Sequence, residues 1–118
     1  MKVFAGREFQ VYEVSGREVR IHWNIEQFTR EGMDGPEVQW MADEAVCLVS
    51  DSRDQMIEKI IASQYTVGAE IATINNKDSK PEEYAAYQAF RQIAKDLASG
   101  WTRTWKLWSP RISGLTKT

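Results

Sequence analysis

The sequence predicts an α+β domain: a small antiparallel sheet of three to four strands from the N-terminal half, packed against two to three helices from the C-terminal half. Three observations carry this reading. Apolar residues alternate with polar ones before residue 50 and recur at helical spacing after it. Gly- and Pro-containing turns separate the strand-like runs, whereas capping patterns open the helix-like ones. Strands and helices therefore fall in separate blocks, the order of α+β domains and not of nucleotide-binding folds, whose elements alternate.

The strands come first. Val19, Ile21, Trp23 and Ile25 fall on one face of a run whose other face is Arg20, His22, Asn24 and Glu26. A period of two over these residues means a strand with one face in water. The preceding run from Glu8 to Val14 is joined to it by Ser15-Gly16, which predicts an antiparallel hairpin. Gly32-Met33-Asp34-Gly35-Pro36 marks a second turn. Beyond it, Glu37 to Ala42 and Ala45 to Val49 read as two strands turned at Asp43-Glu44, with one long bent strand as the rival.

The helices follow. Ser52-Arg53-Asp54-Gln55 has the capping-box pattern, and Met56, Ile57, Ile60 and Ile61 then form one apolar stripe. Thr66 caps a short second helix that carries Val67, Ile71 and Ile74 at i, i+4 and i+7 and ends at Asn75-Asn76. Ser79-Lys80-Pro81-Glu82 is another capping box, opening a helix over 81–99 faced by Tyr84, Tyr87, Phe90, Ile93, Ala94 and Leu97 and stopped by Gly100. The expected core is Val19, Ile21, Trp23, Ile25, Trp40, Val46, Ile57, Ile60, Ile61, Phe90, Ile93 and Leu97. Residues 1–100 make a single domain in this reading, and 101–118 a Trp-rich basic arm.

Composition limits the function. The 118 residues suit one domain with a modest core. The net charge of −2 makes the chain a poor wrapper of phosphate backbones. That average hides a gradient: residues 1–100 hold 11 basic and 17 acidic side chains, whereas the last eighteen hold four basic and no acidic ones. No apolar run approaches the roughly 18–20 residues that span a bilayer. Residues 1–7 lack the apolar stretch of a secretory signal, and the single cysteine fits a reducing compartment, so a cytoplasmic location is expected.

The arm contains the candidate contact residues. Trp101, Trp105 and Trp108 are spaced four and then three apart, so a helix through them aligns all three indoles, flanked by Arg103 and Lys106. An indole buries on the order of 150–250 Å², so an exposed row needs cover. Three covers remain open: the chain's own domain, another protein chain including a second copy, and a membrane surface. Pro110 is expected to end any helix there.

Reactive constellations are not apparent. His22 and Cys47 are the sole imidazole and thiol; the alternation puts His22 in solvent and Cys47 in an apolar run, so they do not form a nucleophilic pair. One histidine and one cysteine do not make a transition-metal site, and no cofactor is expected. Asp51, Asp54, Glu58, Glu82 and Glu83 gather near predicted helix N-termini, where the helix dipole accounts for them. No P-loop, nucleophile elbow or zinc-protease motif occurs. No enzymatic activity is expected.

A resemblance adds one further expectation. The stretches Ile60-Ile61-Ala62-Ser63-Gln64-Tyr65-Thr66-Val67, Glu70-Ile71-Ala72-Thr73-Ile74-Asn75-Asn76 and Pro81-Glu82-Glu83-Tyr84-Ala85-Ala86-Tyr87-Gln88-Ala89-Phe90-Arg91 resemble small proteins of unknown function from phage and prophage tail-gene regions. The likeness covers about residues 57–97 and brings no functional residues. It implies a structural or assembly component of a phage-derived particle, working through contacts with a protein partner or itself. The alternative is a small regulator that binds single-stranded nucleic acid through the basic, Trp-rich arm.

Overall fold

The computed structural model describes the backbone of residues 1–117 and the side chains through Thr102. The chain is α+β, with a four-stranded antiparallel sheet in its N-terminal part and three helices in its C-terminal part. It divides into two compact units, Met1–Ser50 and Asp51–Thr118.

The first unit is the sheet, built from β1 (Lys2–Ala5), β2 (Tyr12–Ser15), β3 (Glu18–Gly32) and β4 (Gly35–Leu48) in the order β1-β4-β3-β2. Two-residue turns close both hairpins. Ser15 pairs with Glu18 across Gly16, whose φ of 62° needs no Cβ to be avoided, and Gly32 pairs with Gly35 across Met33-Asp34. β1 carries no sequence signal that singles it out. It is a strand because the edge of β4 offers it partners from Trp40 to Asp43.

The predicted turn at Asp43-Glu44 does not exist, and the long single strand is the observed form. Two acidic neighbours read as a turn because charge is rare inside sheets. Here both are paired: Asp43 takes Lys2 Nζ at 3.1 Å and Asn24 Nδ2 at 2.9 Å, while Glu44 meets His22 and Arg20. The bend falls on β3 instead. Trp23 faces Asp43 and Glu26 faces Met41, so Asn24 and Ile25 share a single opposing residue in a β-bulge, with Asn24 at a φ of 52°. The bulge breaks the alternation at Ile25, which is half-buried. Val46, expected in the core, lies on the exposed face. The buried face is Val19, Ile21, Trp23, Ala45 and Cys47.

The second unit contains α1 (Arg53–Ala62), α2 (Val67–Asn75) and α3 (Pro81–Lys117). The Ser52 capping box forms as predicted: Ser52 Oγ accepts from Gln55 N at 3.2 Å and Gln55 Oε1 accepts from Ser52 N at 2.8 Å. Thr66 caps α2 by accepting from Ala69 N at 3.0 Å. The second predicted box does not form. Pro81 takes the first helical position, so Lys80 stands where a cap would, and Ser79 Oγ donates to Asn76 O at 3.2 Å.

α3 does not stop at Gly100 or Pro110. A glycine inside a helix costs only about 1 kcal/mol relative to alanine, less than packing on either side returns. Its buried line is Tyr87, Ala94, Ala98 and Trp101; Phe90 and Leu97 sit at its margins and Ile93 is exposed. α1 contributes Met56, Ile60 and Ile61 to the same core, and Arg53 Nε donates to Ser99 Oγ at 2.8 Å between α1 and α3.

Candidate interaction site

The sheet unit contains a buried polar cluster that the alternation assigned to water. His22 is 1% exposed, because Phe9 packs on its ring at 4.7 Å between centroids and β4 supplies Glu44 opposite. Nδ1 donates to the carbonyl of Gln10 at 2.7 Å, and Nε2 lies 2.9 Å from Glu44 Oε2. Arg20 Nη1 reaches the other oxygen of Glu44 at 3.2 Å. Glu13, 3.9 Å from Nδ1, is held by Arg7 through a two-point contact of 2.9 and 3.2 Å and by the amide of Gln10. The sequence could not expose this, since what shelters His22 is an irregular segment before β2. Cys47 is buried on the opposite face, so the two reactive side chains stay apart.

Glu13 gives this cluster a pH signature. The hydrogen bonds from Arg7 hold its pKa at about 2, against 4.5 ordinarily, with burial opposing and the Gln10 amide assisting. Its folded pKa is depressed, so its contribution is complete above about 4.5 and is lost as pH falls towards 2. Arg7 is largely exposed, so solvent and salt screening keep the effect small. Stability measured from pH 6 to 2 is expected to fall less steeply in Glu13→Gln than in the parent chain. Parallel slopes would contradict this.

The helical unit presents two linked features. The first is α2. None of its nine residues is buried, yet Val67, Ile71 and Ile74 line up within roughly 60° of arc. They are 73%, 54% and 42% exposed. A helix of this length is marginal alone in water, and an apolar stripe facing solvent is the opposite of what an amphipathic helix normally buries. The sequence spacing revealed the stripe but not that α3 leaves it uncovered.

The second is a groove of about 580 Å³ bounded by α1, the α1–α2 link, the start of α2 and α3. Ile57, Ile61 and Val67 give it apolar walls, and Tyr65 stands edge-on to Tyr87 at 5.0 Å. Tyr87 donates to Glu70 Oε2 at 2.5 Å, and burial together with that carboxylate raises the phenol's pKa. The Arg91 guanidinium carbon lies 5.9 Å above the Tyr87 ring. Its Nε is buried without a hydrogen-bond partner among the described residues, a state that costs on the order of 1–3 kcal/mol. Tyr87 was legible only as a helix-face residue, because its meeting with Glu70 depends on how α2 folds back.

Of the sequence-predicted contact residues, Trp101 is 5% exposed and belongs to the buried line of α3. Arg103, Trp105, Lys106 and Trp108 lie within the bounds of α3, and their side chains lie outside the described residues. Among the described residues no helix is long and apolar enough to cross a membrane. No family model, curated protein or solved structure matches the chain.

Proposed function

We propose that this protein is a non-enzymatic structural or assembly component that works through protein–protein contacts, with the outer face of α2 as its contact surface. The carrying observation is the alignment of Val67, Ile71 and Ile74 on a helix that buries none of its residues. Apolar stripes of this kind, bordered by polar side chains, are the usual material of partner binding. The phage-derived particle as the setting rests on the resemblance of residues 57–97.

The test places a photo-crosslinker at position 71 and, as a control, at the exposed position 92 of α3. In the source cells, adducts to another protein chain, self included, are expected from position 71 and not from 92. Equal or absent adducts would end the proposal. The double substitution Ile71→Ser/Ile74→Ser is expected to remove the contact while changing stability by only about 0.5 kcal/mol, because both side chains are already exposed. A large loss of stability would mean that the stripe belongs to the chain's own core.

A further inference from the structure

We propose that the free edge of β3 pairs with the same edge of a second copy of the chain, joining two sheets across a two-fold axis at Phe28. The surface is separate from α2, so the inference stands whether or not α2 binds a partner.

Beyond the β-bulge the β3–β4 hairpin runs on without support. β2 pairs with β3 from Glu18 to Ile21, and among the described residues the last backbone bond on that side is His22 N to Val11 O at 2.8 Å. β1 pairs with β4 from Trp40 to Asp43. No residue from Asn24 to Met41 is buried. A two-stranded ribbon is marginal in water, and its open edges are templates for another strand.

Proline blunts one of those edges. Gly32 and Gly35 close the hairpin across a two-residue turn, so they exchange backbone hydrogen bonds, and every second pair does so after them. Pro36, in the next pair, therefore turns a nitrogen without hydrogen towards the outer edge of β4. Gln27, Thr29 and Glu31 turn their N–H and C=O groups to the outer edge of β3. No proline or lysine guards that edge from Ile25 to Gly32.

The side chains name the occupant. Glu26, Phe28 and Arg30 share one face. An antiparallel copy centred on Phe28 sets Gln27 against the partner's Thr29, so outward-facing backbone groups meet. It also sets Glu26 against the partner's Arg30, twice by symmetry, and one Phe28 ring against the other. The strand is thus complementary to itself in charge. The adjacent registers that the hydrogen bonds allow place Glu26 opposite Phe28 or Gly32 and lose both ion pairs. Phe28 already meets the exposed Phe4 edge-on at 6.1 Å, so the pairing continues a row of rings across the joined sheets.

Sedimentation equilibrium of the full-length chain is expected to approach twice the single-chain mass by about 1 mM, since one strand pair is a small interface and binds weakly. Amide exchange at Gln27, Thr29 and Glu31 is expected to slow as concentration rises, and to slow more than at Phe28 and Arg30, which are already bonded to β4. Charge variants are made in a Glu37→Gln background, because Glu37 lies 3.6 Å from Arg30 within the chain. Glu26→Arg and Arg30→Glu each set like charges opposite one another, and each is expected to weaken self-association roughly tenfold. Mixed in equal amounts they restore both ion pairs, and the mixture is expected to associate as the Glu37→Gln chain does.

A single-chain mass at every concentration, with exchange unchanged, overturns the proposal and leaves the edge to a strand of another protein. A doubled mass that both charge variants retain also overturns it, because the contact then lies elsewhere, α2 included. Loss in the single variants without recovery in the mixture refutes the register and the proposal with it. If a variant does not fold, the concentration dependence of exchange in the parent chain decides alone.

Discussion

Replacing Trp101 by alanine is expected to destabilise the chain by roughly 3–5 kcal/mol, the cost of emptying a buried aromatic site. Trp101 is 5% exposed and extends the line of Tyr87, Ala94 and Ala98 along α3. The two alanines are fully buried, which fixes how closely their neighbours approach and leaves little scope for the core to close over a missing indole. Unfolding in urea, or a fall in Tm of more than about 10 °C, would register the loss. Ile93→Ala, on the exposed side of the same helix at 38%, is expected to cost less than about 1 kcal/mol and serves as the comparison. A Trp101→Ala chain as stable as Ile93→Ala would show that the indole is not sheltered.

The second large effect lies in the sheet. His22→Ala is expected to cost about 3–5 kcal/mol, because it leaves a buried carboxylate without its main partner. Glu44 is 5% exposed and among the described residues would keep Arg20 Nη1, and the carbonyl of Gln10 would lose the His22 donor. Removing both members together is a different operation. His22→Leu/Glu44→Leu takes away the charge along with its partner, and is expected to recover most of the loss. Guanidinium denaturation of the parent, the two single leucine variants and the double variant forms a cycle that isolates the coupling. Additive losses would mean that the ring and the carboxylate act independently, in conflict with their 2.9 Å contact.

These effects fall on residues that pattern alone assigned differently. The alternation from Val19 to Trp23 correctly identified one buried face, but it made His22 solvent-facing by default. Alternation describes a strand with one covered face; it carries no information about a segment from elsewhere folding over the second. Phe9 and Gln10 do that here. The acidic pair Asp43-Glu44 was misread for the same reason. Lys2, Asn24, Arg20 and His22 satisfy it from other strands, at sequence separations of 19 to 41 where local composition is silent. Gly100 was misread because a local breaker was weighed without the packing that continues beyond it.

The candidate site divides in the same way. Val67, Ile71 and Ile74 were legible as a stripe from spacing, and Thr66 as the cap that starts it. Whether a stripe is core or contact surface is decided by what packs on it, and no spacing rule encodes that. Arg91 gave no signal beyond its place on a helix.

The amino-acid sequence by itself determined the order of strands and helices, both tight hairpin turns, the Ser52 and Thr66 caps and the apolar stripes of the helices. All of these follow from interactions within a few residues: φ preferences, side-chain to backbone hydrogen bonds and the periods of 2 and 3.6. Tertiary structure alone decided that β1 exists, that β4 is unbroken, that His22 is buried and Trp101 sheltered, and that α2 faces outward. Each of those depends on a partner far away along the chain, and burial belongs to the pair of surfaces that meet, not to either segment alone.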